Sequence, residues 1–287
     1  MYPRPFDYVR AESVEQALEL KAETGGRFIA GGHSLLPMMK IRMTAPAALV
    51  DIGRLEDLRG ISQNGGFSIG ALTTHATVEA QDQDGFPAGL REAASMIGDP
   101  QVRNRGTVGG NVAHADPASD LPTVFSALGA TMKTQSKDGT REIAVSDFFT
   151  GMFESALEDD EILTAIEVGS ESAGTGSAYA KMFNPASRYA VVGACATLDI
   201  GDDGSCTSAR VAVGGLTPKA VILDPVGDAL QGKPVTEENA KDAAQTALDV
   251  VGDDVMGDTY ASAAYRKRML PVFVARALVK AASRAGA

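Results

Sequence analysis

The chain has 287 residues, room for two domains of ordinary size or one large one. Hydrophobic residues at 44% and charged residues at 22% exclude a disordered chain, and a formal net charge of −11 argues against a nucleic-acid partner. The only cysteines, Cys195 and Cys206, are too few thiolates for an iron–sulfur cluster held by this chain alone.

The opening residues 1–10 (MYPRPFDYVR) have no apolar core of a signal peptide, and no apolar run is long enough for a transmembrane segment, so a cytoplasmic protein is expected. Ser13 with Gln16 reads as a capping box opening a helix whose apolar face is Val14, Ala17, Leu18 and Leu20. A short strand at 27–30 runs into Gly31-Gly32, followed by a helix over 35–42 and a strand over 47–52. Gly65-Gly66 turns into a strand at 67–72, and 87–97 is helical. Residues 98–122, rich in Gly, Asn, Asp and Pro, read as a long irregular segment of the kind kept for function. Helix resumes over 123–128, with strands at 130–135 and 162–168.

The small, polar stretch 169–177 (GSESAGTGS) marks a domain boundary. Beyond it, 178–183, 189–200 and 207–214 read as antiparallel strands, and helices follow over 236–251 and 258–283. Cys195 and Cys206 flank the turn 201–205 and read as half-buried strand residues in a reducing compartment, with a cross-hairpin disulfide as the alternative.

Two glycine pairs are candidates for chemistry: Ala30-Gly31-Gly32-His33-Ser34 after a strand, and Thr107-Val108-Gly109-Gly110-Asn111 in the polar segment. A missing Cβ lets a ligand approach the backbone, and successive N–H groups in such turns form anion-binding nests. Two such loops would suit the two phosphates of a dinucleotide; two ordinary turns is the alternative. Other nucleotide and hydrolase motifs fail. No G-x-G-x-x-G follows a strand, GDALQGK at 227–233 is followed by Pro234 where a P-loop has Ser or Thr, and His33, His75 and His114 lack metal-ligand spacing.

AGGHS after a strand, TVGGN with DPASDLP behind it, and EILTAIEV further on resemble the FAD-binding medium subunits of molybdenum hydroxylases. The segments PRPFDYVRAESVEQAL, GGHSLLPMMKIRM and IGDPQVRNRGTVGGN match in order and spacing, and the pattern is nearest to the medium subunits of aerobic carbon monoxide dehydrogenase. The resemblance implies an α+β chain. Its FAD-binding domain, residues 1–173, would have two subdomains, about 1–55 and 56–173, of the p-cresol methylhydroxylase and vanillyl-alcohol oxidase type. An α+β C-terminal flavoprotein domain with an antiparallel sheet would occupy 177–287.

By similarity, Ala30, Gly31, Gly32, His33 and Ser34, with Thr107, Val108, Gly109, Gly110 and Asn111, would line the pyrophosphate of a non-covalent FAD, and Leu35 would be a further cofactor-binding residue. Asp120 would contact the cofactor, Ile97 and Leu163 would be apolar contacts, and Lys181 and Tyr189 would reach the flavin from the C-terminal domain. Alternatives stay open at three of these: Asp120 as a helix N-cap, Lys181 as a solvated strand lysine, Tyr189 as a half-buried strand aromatic. No catalytic or metal-binding residue is expected. The implied function is electron transfer from iron–sulfur clusters to an external acceptor, beside a molybdopterin-binding large subunit and a [2Fe–2S] small subunit. A stand-alone flavin oxidase and a flavin-free assembly subunit are the rivals.

Overall fold

A computed structural model of the chain describes residues 2–286, so Met1 and Ala287, the outer limits of the two expected domains, lie outside the described residues. The first part comprises β1 (Asp7–Arg10), α1 (Val14–Thr24), β2 (Arg27–Ile29), α2 (Leu35–Lys40) and β3 (Ala48–Asp51). Its three strands run in the order β1-β3-β2, all parallel, which requires the crossover that α1 supplies. Helix α1 starts as expected: Ser13 Oγ accepts the Gln16 N–H at 3.1 Å, and Gln16 Oε1 reaches back to the Glu12 N–H at 2.6 Å. Ala17 and Leu18 share a core with Val50 and Ile52, and the end of β2 at Ile29 and Ala30 reaches the cleft described below.

The second part begins with a 3₁₀ turn at Glu56–Leu58 and continues through β4 (Ile61–Gln63), β5 (Phe67–Gly70), α3 (His75–Glu79) and α4 (Ala88–Met96). Residues 98–122 are not irregular. They form α5 (Pro100–Arg103), α6 (Val108–His114) and the start of α7 (Asp120–Leu128). Then come β6 (Thr131–Ser136), β7 (Gly139–Ala144), α8 (Val145–Phe148), β8 (Phe149–Gly151), β9 (Glu154–Ser155) and β10 (Ile162–Val168). The antiparallel sheet has the order β4-β5-β10-β6-β7. Leu90, Leu121 and Phe125, each 0% exposed, join its core. Each such burial is worth about 1.5–3 kcal/mol.

The third part holds β11 (Thr175–Phe183), β12 (Ala190–Ile200), β13 (Cys206–Gly214) and β14 (Val221–Ile222), followed by α9 (Asp224–Leu230), α10 (Glu237–Gln245), α11 (Ala247–Val251) and α12 (Ala263–Ala285). Its antiparallel sheet, in sequential order, is buried on both faces. The cross-strand row Tyr179, Cys195 and Ala212 packs into the core shared with α4 and α7, whereas the next row, Ala178, Ala196 and Val211, faces Leu270, Val274 and Leu278 of α12. Cys195 and Cys206 therefore sit in different cores as free, fully buried thiols. Gly227 of the P-loop lookalike lies inside α9, where an added Cβ would overlap the Ala209 carbonyl. Among the described residues no helix is long and apolar enough to cross a membrane.

Candidate functional site

Strand β2 delivers the chain into the first glycine loop. Gly32 has φ +74°, in the left-handed region that glycine adopts without strain, and turns the backbone toward α2. Among the described residues, no hydrogen bond uses the N–H of Gly31, Gly32, His33, Ser34 or Leu35. The Ser34 side chain makes no capping bond to α2, and His33 Nδ1 donates to the Gly31 carbonyl at 3.0 Å. Five successive free donors thus stand together, the arrangement that receives an oxyanion.

The second loop is built differently from the turn its glycines suggest. Thr107 is the N-cap of α6, and its Oγ1 accepts the Gly110 N–H at 3.2 Å. The Val108 and Gly109 N–H groups donate to the Thr73 and Ala71 carbonyls at 2.9 and 2.8 Å, and Asn111 N–H to the Thr107 carbonyl at 3.0 Å. This loop is therefore not a nest. What it offers is the bare Cα of Gly110, the Thr107 hydroxyl and the Asn111 amide, whose Nδ2 donates to Ser119 Oγ at 3.1 Å while its buried Oδ1 has no partner. Gly109 serves packing, since an added Cβ would overlap Ala71.

The two loops meet. A Cβ on Gly31 would overlap the Arg105 carbonyl and come 3.1 Å from Gly106 Cα, and one on Gly110 would stand 4.0 Å from Ala30 Cβ. Between them opens a cleft of about 630 Å3, a size typical of cofactor sites. Ala30, Gly31, Gly32, His33, Ser34, Leu35, Thr107, Gly109, Gly110, Asn111, Ile97, Asp120, Leu163 and Tyr189 all line it. Val108 and Lys181 do not: Val108 is fully buried in the core, and the Lys181 side chain is 0% exposed.

Asp120 is not the N-cap of α7; Ser119 holds that position and Asp120 is the first helical residue. Its carboxylate accepts from Tyr179 Oη at 2.6 Å and Lys181 Nζ at 2.9 Å. Lys181 Nζ also donates to the Met96 and Arg188 carbonyls at 3.0 and 2.7 Å, so it is not a solvated lysine. Burial pushes the Asp120 carboxyl up and the Lys181 ammonium down, each opposed by the other's charge. Arg188, at φ +61°, carries Tyr189 to the cleft rim, where that ring is 43% exposed rather than inside the sheet.

The FAD binding domain in molybdopterin dehydrogenase matches residues 4–170, and the CO dehydrogenase flavoprotein C-terminal domain matches residues 177–281. The chain belongs to the FAD-binding medium subunits of the molybdenum hydroxylases. It is 37% identical over 290 residues to the 6-hydroxypseudooxynicotine dehydrogenase complex subunit alpha of Paenarthrobacter nicotinovorans, covering 99% of this chain and 97% of that protein. It is 36% identical to the carbon monoxide dehydrogenase medium chain of Hydrogenophaga pseudoflava, over 97% of each. In structure it resembles carbon monoxide dehydrogenase from Hydrogenophaga pseudoflava, with a TM-score of 0.93, 35% identity and 99% of each chain covered.

Within this medium subunit the cleft includes residues that sequence reasoning passed over. Ser119, Arg188, His75, His114 and Phe153 also line it. Ser119 sits in the DPASD segment quoted for the resemblance and was within reach of it. Arg188 becomes visible only once the left-handed turn before β12 is known.

Proposed function

We propose that the cleft holds FAD without a covalent bond and that the chain passes electrons within a molybdenum hydroxylase complex of the carbon monoxide dehydrogenase type. Its partners are then a molybdopterin-binding large chain and a [2Fe–2S] small chain, in the cytoplasm. Residues 1–173 form the flavin-binding part and 177–287 the C-terminal part in this reading. One observation carries it: the residues of five free N–H groups, 31–35, and the Cβ-free Gly110 line one cleft of cofactor size. The first loop takes the diphosphate through main-chain amides, and Thr107 and Asn111 add hydrogen bonds. Ile97 and Leu163 supply apolar contact, and Tyr189 covers the exposed rim. Asp120 lines the cleft, and Lys181 holds its carboxylate from behind the wall.

The bound flavin supplies the redox chemistry, and the chain binds and orients it while limiting access of water. The rival, a self-sufficient oxidase, needs a free acid or base over the flavin. Asp120 and Glu161, two buried carboxylates at the cleft, are already engaged by Lys181 and by Arg141. The relatives support the reading at the level of the complex: one is named for carbon monoxide and another for 6-hydroxypseudooxynicotine, and this chain is nearly equally similar to both. The test is purification of the chain alone. It should take up one equivalent of FAD, turn yellow, and turn over neither carbon monoxide nor aldehydes until molybdenum and iron–sulfur chains are added. Turnover by the chain alone would establish the oxidase, and a colourless chain in excess FAD would leave only a scaffold.

A further inference from the structure

His75 is the first residue of α3, 3% exposed, and it lines the cleft. Its backbone N–H donates to the Gly106 carbonyl at 3.1 Å, tying it to the strip of chain that touches Gly31. The ring lies against Gly106: a Cβ there would stand 2.8 Å from His75 Cδ2 and 2.9 Å from Nε2, so Gly106 is the residue that makes room for the imidazole. Nδ1 is buried with no partner, and among the described residues no hydrogen bond engages Nε2.

A buried N–H without an acceptor is rarer and costlier than an unpaired lone pair. The proton of the neutral ring therefore belongs on Nε2, beside the cleft-lining Gly106, and Nδ1 keeps the bare lone pair. Burial holds the ring neutral by pulling its pKa down to about 4, and the neighbouring Arg103 guanidinium acts in the same direction. The Arg103 guanidinium also favours an electron-rich group beside the ring. The chain thus carries a fixed donor with no acceptor of its own, at the wall of a cleft proposed to receive an acceptor-rich molecule.

We infer that His75 is a further cofactor-binding residue, donating from Nε2–H to an oxygen or ring-nitrogen acceptor of the dinucleotide in the cleft. The inference rests on the FAD reading above. His75 binds and positions, and it moves no proton or electron.

Three substitutions test it in the full chain, with FAD as the probe and flavin fluorescence quenching as the readout. His75→Gln places an amide nitrogen near the Nε2 position and should hold FAD within about threefold of wild type. His75→Asn, whose amide reaches only the Nδ1 position, and His75→Leu should each weaken it about tenfold, the loss of one hydrogen bond of about 1.4 kcal/mol. A purely structural histidine would show no rescue by Gln over Asn. As a check independent of folding of the variants, the His75 ¹⁵N resonances of the wild-type chain should report the Nε2–H tautomer and shift on FAD addition. If FAD binds with one-to-one stoichiometry while these resonances stay fixed and the three variants bind alike, His75 is not a ligand and the FAD reading survives. If FAD does not bind the wild-type chain, both fall.

Discussion

Replacing Gly110 with valine separates what the second loop does for folding from what it does for the ligand. Gly110 is in the first turn of α6, and its added Cβ would meet only Thr107 Oγ1, at 2.7 Å, and more distantly Ala30 Cβ, at 4.0 Å. The folding cost is then a displaced N-cap, about 1 kcal/mol, offset in part by removing a glycine from a helix, worth about 0.5–1 kcal/mol. Net stability should change by less than about 1 kcal/mol. The branched side chain, however, stands in the space between Gly110 and Ala30. Pushing a diphosphate off the first loop by a bond length loses one or two charge-assisted hydrogen bonds of about 1.5–3 kcal/mol each. FAD affinity should fall at least about a hundredfold, equivalent to about 2.7 kcal/mol. Urea denaturation checks the first number and FAD titration the second. Near-wild-type affinity in a folded Gly110→Val chain would refute the assignment of this loop to the cofactor.

Gly109→Ala should behave in the opposite way, because its Cβ would overlap Ala71 in the core; overpacking costs about 1–3 kcal/mol, seen as a lowered urea midpoint. Lys181→Met leaves Asp120 buried without its counter-charge and should destabilise the chain by about 3–5 kcal/mol, whereas adding Asp120→Asn should recover much of that in the double-mutant cycle. His75 gives a pH signature. Its folded pKa, about 4, lies below the ordinary 6.5, so its contribution is fully present above pH 6.5 and is lost as pH falls toward 4. The loss is on the order of 3 kcal/mol. The stability difference between wild type and His75→Gln should therefore shift by that amount between pH 7 and pH 4, measured by urea titration at each pH.

Much of this was legible in the sequence, for physical reasons that can be named. Strand β10 and the alternating rows of β12 and β13 are long, apolar and bounded by turn residues, and periodicity found them. Helix α1 announced itself through Ser13 and Gln16. Strand β1 did not, because its four residues are largely exposed and its parallel pairing with β3 leaves no local pattern. Helix α6 was hidden by the glycines that make it possible: Gly109 lowers helix propensity, yet packing against Ala71 requires it. Sequence spacing also could not show that Lys181 reaches back to Asp120, because that pairing arises only when the first residue of α7 meets Tyr179 and Lys181 of β11 in the fold. His75 was visible as a letter and uninformative as one; its role emerges from a ring packed against Gly106 with two unengaged nitrogens.

Amide-resolved hydrogen exchange with and without FAD tests the central claim most directly. The N–H groups of Gly31 to Leu35, free in this structure, should become strongly protected when the cofactor is added, while those of Val108 and Gly109, already bonded to Thr73 and Ala71, should change little. Exchange at residues 31–35 that is indifferent to FAD, in a chain that demonstrably binds it, would contradict the account.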